Sequence, residues 1–312
     1  MKYHQLRAFV AVAETGSIRA AARSLALSQT AVTKTVQELE GGLQAPLLHR
    51  SARGVSLTPI GTELLRRAKL ILAEMEEART AIRSMLGQGT QRLNVAVTPA
   101  FSTLCLPQTL ARFRKRYPDA RLSIRDAFLS QVLPMLRDGT IDLAITALLP
   151  ETLGSDLSFD PLGRVEIALT GRKGRFAPGP HPLSELADAT WLLDMSQSGI
   201  SEAVRRWLIK HRLPLPEKVI ECPSSMAALV LSSETDAIAP IPRPMLALPW
   251  IQSLSEEVKL VETGLSVPFG FVLRQGRQLD ATVQWFAECA RRSLSTMPLL
   301  DHVSRKEEPV SG

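Results

Sequence analysis

Short apolar stripes at helical spacing fill the first 45 residues, and turn residues separate them. The first stripe, at i, i+3, i+4 and i+7, predicts a helix closed by Thr15-Gly16; its members are Leu6, Phe9, Val10 and Ala13. A second helix is expected after the N-cap Ser17, buried through Ile18, Ala21, Ala22 and Leu25. A third is expected after Ser28, buried through Val32, Val36, Leu39 and Leu43. Two short helices joined by the turn 26–28 predict a helix-turn-helix.

The other face of the third helix carries polar side chains without an acid. At about 100° per residue, five of them project within about 140° of one another: Gln29, Thr30, Thr33, Lys34 and Gln37. Side chains of these types pair with adenine, pack on the thymine methyl group, or bind guanine and phosphate. The alternative is a solvated surface helix, but such faces normally include Asp and Glu. We therefore predict a DNA-reading helix that begins at Ser28.

A β-hairpin is predicted directly after the third helix. Two short apolar-rich segments, 46–50 and 55–58, flank a turn that contains Gly54. Arg50 and Arg53 lie at its tip, where they suit phosphate or a narrow minor groove. This hairpin is expected to be the wing of a winged helix-turn-helix at residues 1–58.

A long helix is predicted over residues 59–88, starting at Thr58-Pro59. Its apolar positions alternate in steps of four and three, which is the period of a coiled-coil seam. The expected dimerisation residues are Leu64, Ala68, Ile71, Met75, Ala78 and Ile82, and Met85 continues the repeat. The alternative is packing against the chain's own body. We favour self-pairing, with Gly87-Gln88-Gly89 as a hinge behind the helix.

From residue 89 the pattern changes to strands that alternate with helices. Strands are predicted at 93–97, 121–125 and 141–146, then near 164–170, 190–195, 217–222, 236–241 and 267–273. Helices are predicted at 106–117, 130–137, 199–212, 224–232 and 282–295. This alternation predicts a two-lobed α/β domain at 89–302 with a mostly parallel sheet. Lobe I would comprise 89–163 and 268–302, lobe II would comprise 164–267, and 303–312 would be a disordered tail.

Ligand contacts are expected at the carboxyl ends of the strands in both lobes. Helix N-termini there offer free N–H groups, and hydroxyl side chains add to them. The expected lining is Thr98, Ala100, Phe101, Phe128, Ser130 and Thr146 in lobe I, and Met195, Ser196, Gln197, Ser198 and Pro240 in lobe II. Amides and hydroxyls suit a carboxylate or sulfonate, while Phe101, Phe128 and Met195 suit an apolar or aromatic part.

Charge and composition agree with a nucleic-acid reader joined to an accessory domain. Residues 1–86 hold 12 basic and 7 acidic residues, whereas the remainder holds 25 and 24. The three cysteines and five histidines are scattered, so we expect neither a disulfide framework nor a metal site. No apolar run is long enough for a membrane span, and Arg7 and Glu14 interrupt the N-terminal apolar stretch. A cytoplasmic location is expected, without a membrane partner.

Residues 16–61, from "GSIRAAARSLALSQTAVTKTV" to "TPIG", resemble the winged helix-turn-helix of LysR-type transcriptional regulators. The segments "RYPDARLSIRD" and "VLPMLRDGTIDLAIT" resemble the first half of their effector domain, which is similar to type 2 periplasmic binding proteins. The resemblance implies base and phosphate contacts by Gln29, Thr33 and Lys34 and a wing contact by Arg53. Thr30 departs from the family's usual Pro or Ser, and Gly41-Gly42 predict an early end to the third helix.

The resemblance further implies a ligand cleft between the two lobes and a homotetramer, built as a dimer of dimers, that bends promoter DNA. An effector bound in the cleft would change the spacing of the paired DNA-binding domains. The effector is expected to be a small anion, an aromatic acid or sulfonate, and RNA polymerase would be a partner of an activator. Neither a cofactor nor an enzyme activity is expected, because Walker, G-x-S-x-G, G-x-G-x-x-G and H-E-x-x-H motifs are absent from the sequence. The alternative is a cytoplasmic small-molecule sensor that acts through protein partners.

Overall fold

The structure, a computed structural model, describes residues 1–51, 54–85, 91–126, 129–194, 199–276, 279–295 and 300–301. The chain divides into two compact units. Residues 1–85, grouped with 134–140, form an N-terminal head, and the other described residues form a larger body. Within the described part of the chain, no helix combines the length and apolar character needed to span a membrane.

The head is a three-helix core with a hairpin and a long helix. Its elements are α1 (Tyr3–Thr15), α2 (Ile18–Ser24), α3 (Gln29–Leu43), β1 (Leu48–Ser51), β2 (Gly54–Leu57) and α4 (Pro59–Met85). The predicted stripes supply its buried centre, which includes Phe9, Ala21, Val32, Val36 and Leu39. Because Ala21 and Ala22 carry small side chains, α2 and α3 can cross closely. The predicted helix-turn-helix is therefore present.

The turns of the head follow from local backbone chemistry. Gly16 closes α1 in the left-handed conformation with φ 62°, and the Ser17 hydroxyl then accepts a hydrogen bond from the backbone N–H of Ala20. Between α2 and α3, Ala26 has φ 54°, and the Leu27 N–H donates to the carbonyl of Ala22 at 2.9 Å. The Ser28 hydroxyl caps α3 by accepting from the N–H of Ala31 at 3.1 Å.

The predicted early end of α3 is wrong. The helix continues through Gly41 and Gly42 to Leu43 and ends at Gln44, which has φ 52°. The carboxylate of Glu40 accepts hydrogen bonds from the N–H groups of Leu47 and Leu48, which ties the end of the helix to the hairpin. These contacts offset the roughly 1 kcal/mol that each glycine costs within a helix. Leu43, expected to be buried, is exposed instead.

A close backbone crossing fixes the start of α4. The Thr58 hydroxyl accepts from the N–H of Gly61 at 2.9 Å and donates to the carbonyl of Pro46 at 2.8 Å. A Cβ on Gly61 would lie 2.0 Å from the carbonyl oxygen of Leu47. The predicted N-cap at Thr58 is thus observed. Three residues further along the helix, at Gly61, only glycine fits.

The predicted seam of α4 divides into two parts. Ala68 is completely buried and Leu64 is half-buried, and both pack on the helical core of their own head. This corrects the expectation that Leu64 and Ala68 face a partner chain: the alternative, packing against the chain itself, applies to them. Further along, Ile71, Met75, Ala78 and Ile82 are exposed in the single chain. The side chain of Met85 and the hinge at 87–89 lie outside the described residues.

The body is a mixed sheet with helices on its faces. Its strands are β3 (Arg92–Val97), β4 (Arg121–Asp126), β5 (Leu143–Ala147), β6 (Leu157–Arg172), β7 (Thr190–Leu193), β8 (Val219–Glu221), β9 (Ala237–Pro242), β10 (Ser255–Val258), β11 (Ser266–Arg274) and β12 (Leu300–Asp301). Its helices are α5 (Pro99–Leu104), α6 (Leu106–Arg116), α7 (Leu129–Arg137), α8 (Ile200–Lys210), α9 (Ser225–Glu234), α10 (Pro249–Leu254) and α11 (Ala281–Ser295).

The strand order is β4-β3-β5-β11-β6-β9-β7-β8, and β10 and β12 also pair with β6. Strands β3, β4 and β5 pair in parallel, as do β7, β8 and β9. At the centre, β6 and β11 run antiparallel to their neighbours, so the mostly parallel sheet expected from the sequence is wrong there. The strand from Val267 returns to lobe I and pairs with β5, as the sequence pattern predicted.

Strand β6 is twice as long as predicted and belongs to both lobes. Its first part pairs with β11 up to Glu166, and from Ile167 onward it pairs with β9 and then β10. Pro161 and Gly163 lie within the strand, and the register of β11 shifts at Phe269/Gly270, opposite these residues, which accommodates both of them. Lobe I is therefore β3–β5, β11 and the first part of β6; lobe II is β7–β10 and its second part.

Candidate nucleic-acid interface and ligand cavity

Helix α3 presents the predicted polar face to solvent. Ser28, Gln29, Thr30, Lys34 and Gln37 are exposed, and Thr33 is half-buried beside them. Within the described residues, the side chains of Gln29, Thr30, Thr33, Lys34 and Gln37 make no hydrogen bond or ion pair. The opposite face, with Val32, Val36 and Leu39, fills the core of the head. The donors and acceptors of this face are thus held outward by a fixed core and are available to another molecule.

The hairpin is held against the helical core by one backbone contact. The Val55 N–H donates to the carbonyl of Gly16 at 3.0 Å, and a Cβ on Gly54 would lie 3.0 Å from the same oxygen. The strand that carries Arg50 is therefore fixed to the end of α1. The side chain of Arg50 and the whole of Arg53 lie outside the described residues.

Two basic residues of α2 were missed by the sequence reasoning. Arg19 and Arg23 are four residues apart and both exposed, so they share one face of the helix. The first helix of a helix-turn-helix crosses the DNA backbone, where arginines bind phosphate. Their spacing was the available signal.

A cavity of about 140 Å³ lies in the body between lobes I and II. It lies at the carboxyl ends of β3 and β5, facing the N-termini of α5, α8 and α9. Five predicted lining residues are part of it: Thr98, Ala100, Phe101, Thr146 and Pro240. Ser130 is exposed on the first turn of α7 and is not part of the lining. Phe128, Met195, Ser196, Gln197 and Ser198 lie outside the described residues.

Hydroxyl groups are the main polar feature of the lining. The Thr98 oxygen accepts from the N–H of Phe101 at 3.4 Å, and the Ser201 oxygen accepts from the N–H of Asp194 at 2.9 Å. Each hydroxyl therefore keeps its own proton for another acceptor. Thr146 is only 4% exposed, yet its hydroxyl has no hydrogen-bond partner among the described residues. Because Thr146 lines the cavity, its hydroxyl can donate to or accept from a molecule in the cavity.

Apart from Ser225 and the acidic residue Asp194, the remaining lining is apolar, and among its described members none is Lys, Arg or His. The sequence reasoning missed several of these residues because they come from separate elements: Leu129, Val165, Gly199, Cys222, Met245, Phe269 and Leu294. Burial raises the pKa of the Cys105 thiol in the wall to about 11, so this cysteine is an unreactive apolar group.

Two family models match the chain. Residues 3–62 match the model described as bacterial regulatory helix-turn-helix protein, lysR family. Residues 86–295 match the model of the LysR substrate binding domain. The first model covers the head up to the start of α4, and the second covers the body that holds the cavity.

Curated relatives cover most of the chain. The HTH-type transcriptional regulator TdcA of Escherichia coli (strain K12) is 29% identical over 241 residues, which is 77% of each chain. The HTH-type transcriptional regulator PcaQ of Agrobacterium fabrum is 27% identical over 296 residues, 94% of this chain and 95% of PcaQ.

Solved structures of full-length regulators share the fold. The crystal structure of CbnR, a LysR family transcriptional regulator, has a TM-score of 0.69 at 25% identity, covering 94% of this chain and 99% of CbnR. Full-length CbnR complexed with its target DNA has a TM-score of 0.68 at the same identity, covering 94% and 100% of the two chains.

Proposed function

Because this chain belongs to the LysR family and is a DNA-binding transcriptional regulator with an effector-binding domain, we propose which of its residues read DNA. Helix α3 enters the major groove with Gln29, Thr30, Thr33, Lys34 and Gln37 toward the bases, and Ser28 lies at the backbone. Arg50 and Arg53 of the wing, with Arg19 and Arg23 of α2, bind phosphates. The protein acts in the cytoplasm, by binding and not by catalysis.

The single observation that supports this assignment is the outward polar face of α3, whose side chains have no partner among the described residues. The test is a DNA-binding titration of Lys34→Ala at several salt concentrations. If Lys34 binds a phosphate, the salt slope falls by about one unit; if it binds a base, discrimination falls by about 1–3 kcal/mol. Lys115→Ala, an exposed lysine of α6, removes the same charge and should change neither quantity. Identical titrations for both variants would contradict the assignment.

The exposed part of the α4 seam supports self-association. We expect Ile71, Met75, Ala78 and Ile82 to pair with the same residues of a second chain, which brings two heads onto a roughly palindromic site. Two such dimers would then form a homotetramer that bends the DNA between two sites. RNA polymerase is the partner if the regulator is an activator.

For the cavity we propose a small anionic effector with an aromatic or other compact apolar part. Its volume of about 140 Å³ is close to the roughly 150 Å³ of an apolar cavity that holds benzene. The protons of Thr98, Thr146 and Ser201 and the N–H groups at the start of α8 suit an acceptor such as a carboxylate or sulfonate. Since the described lining has no basic side chain and includes the acidic residue Asp194, one negative charge fits better than two.

Thr146→Val tests the effector site, because it removes the hydroxyl and keeps the shape of the side chain. A hydrogen bond to a charged group contributes about 1.5–3 kcal/mol, so affinity for an aromatic carboxylate should fall by roughly 10- to 100-fold. The ligand is chosen by a thermal-shift screen of such acids with the wild type. Thr190→Val, at the start of β7 and outside the cavity lining, is the matched control. Equal affinity in the two variants would exclude Thr146 from the site.

A further inference from the structure

Two of the contacts that helix α8 of lobe II makes with lobe I involve its N-terminus and its Arg206. At its N-terminus, Gly199 lies against the side chain of Leu129 and the backbone of Ala147. Further along the helix, Arg206 forms an ion pair with Glu151, which follows β5. We call these two contacts the α8 seam. The lobes also meet where Ala100 and Leu104 of α5 pack against the apolar cluster around Met245 of lobe II. They are joined covalently through β6 and through the segment before β11.

Gly199 is suited to this position in backbone and in size. Its φ of 80° and ψ of −151° lie in a region that essentially only glycine adopts. A Cβ there would lie 3.0 Å from Cδ1 of Leu129 and 3.5 Å from the carbonyl oxygen of Ala147. Leu129 and Ala147 are both buried. A side chain at 199 therefore strains the backbone and requires either Leu129 or the start of α8 to shift, and a larger side chain requires a larger shift.

The ion pair places a second contact on the same helix. Arg206 also binds Glu202 within α8 at 2.8 Å, so its guanidinium is held between the two carboxylates. Both partners of the Arg206–Glu151 pair are about half exposed, and such a pair contributes little alone. Its effect is to orient α8 when the Gly199 contact already holds one end of the helix.

We infer that the α8 seam closes the cavity and that Gly199 is the positioning residue that lets lobe II reach lobe I. Gly199, Leu129 and Ala147 also line the cavity, so opening the seam opens the cavity wall. This inference rests on the proposed function in one respect: an effector enclosed by both lobes favours the closed arrangement, and a residue that blocks closure weakens the response.

Hydrogen exchange of the full chain without ligand tests the seam directly. The two informative amides line the cavity and bond to side-chain hydroxyls: Phe101 to Thr98 in lobe I, and Asp194 to Ser201 in lobe II. In Gly199→Leu we expect both amides to exchange about tenfold faster, since opening the wall exposes them. Gly199→Ala should give a smaller increase. Exchange unchanged from wild type in both variants would overturn the inference.

Gly179→Leu is the matched control for backbone strain. Gly179 also belongs to lobe II and has φ 120°, but a Cβ there would contact nothing within 4 Å. Exchange at Phe101 and Asp194 should remain at the wild-type rate in this variant. Acceleration equal to that of Gly199→Leu would show a general loss of stability and overturn the role of the seam.

A rescue and an independent variant keep the test decisive if Gly199→Leu fails to fold. Adding Leu129→Ala to Gly199→Ala removes the nearest atom and should return exchange toward the wild-type rate. Glu151→Gln breaks the ion pair without adding bulk and should accelerate exchange at Asp194. The control Glu288→Gln breaks a comparable pair with Arg292 on α11 and should leave exchange at Asp194 unchanged. No rescue, together with no effect of Glu151→Gln, would contradict the inference.

Binding of benzoate separates this inference from the proposed effector. If wild type binds benzoate, Gly199→Leu should bind about tenfold more weakly and Gly179→Leu as tightly as wild type. Equal binding by all three proteins would overturn the role of Gly199 in the response. If wild type fails to bind benzoate while the exchange results hold, the proposed effector class is wrong and the seam stands.

Discussion

Replacing Ile82 by Asp tests the pairing of two α4 helices most sharply. Ile82 is 59% exposed in the single chain, and Ile71 and Met75 are each 38% exposed. Full burial of such a side chain stabilises by about 1.5–3 kcal/mol. The exposed part of Ile82 therefore contributes roughly 1–2 kcal/mol per chain, and twice that in a symmetric dimer. A carboxylate at the contact adds an unfavourable desolvation, so the dimer constant should weaken by at least about 100-fold.

Ile60→Asp is the matched control for that change. Ile60 is 53% exposed, lies on the same helix and is outside the repeat of steps four and three. Sedimentation of the full chain over a range of concentrations compares both variants with wild type. We expect Ile82→Asp to populate a smaller assembly at concentrations where wild type and Ile60→Asp remain associated.

Either of two results would refute the reasoning. Unchanged association of Ile82→Asp would show that the exposed seam is not a contact between chains. Equal dissociation of Ile60→Asp would show that charge on α4 acts generally, and not through the repeat.

Three further predictions concern stability and ionisation. Gly61→Ala should destabilise the head by about 2–4 kcal/mol in urea unfolding, because the added Cβ would clash with the Leu47 carbonyl. Gly41→Ala, whose Cβ would lie in open space, should stabilise the head by up to about 1 kcal/mol. Hydrogen bonds from Arg66 and Arg67 lower the pKa of Glu63 to about 2; this stabilisation is present above pH 4.5 and lost as the pH falls toward 2. An NMR titration should find Glu63 ionised at pH 3, and Arg66→Ala should raise its pKa. Iodoacetamide at pH 8 should label half-buried Cys222 before Cys105, whose pKa of about 11 leaves roughly one thiolate in a thousand.

The head was predictable because its information is local. Caps such as Ser17 and Ser28 and stripes such as Val32, Val36 and Leu39 lie within one helix length of the positions they determine. The outward face of α3 follows from the same periodicity, since a buried stripe fixes which side chains point away. The continuation of α3 through Gly41-Gly42 was not predictable, because the Glu40 contacts to Leu47 and Leu48 depend on where the hairpin returns.

The sheet of the body was predictable only as a set of strands. Alternation of strands and helices predicted βαβ units, which β3–β5 and β7–β9 do form. Strand direction at the centre depends on β6 and β11, and their pairing joins residues about a hundred positions apart. The bulge opposite Pro161 is a property of that pairing. Strand β6 therefore continues through this proline because β11 lies beside it.

The cavity shows the same division between local and distant information. Thr98, Ala100, Phe101 and Thr146 were predicted because they follow strands, and the ends of parallel strands meet at one edge of a sheet. Leu129, Gly199 and Met245 were not, because they are brought there only when lobe II packs on lobe I. The residues proposed to bind a ligand's polar group are thus positioned mainly by secondary structure, whereas those proposed to close the cavity are positioned by the contact between lobes. A substitution at Gly199 should therefore change closure with the ligand contacts intact, and one at Thr146 should do the reverse.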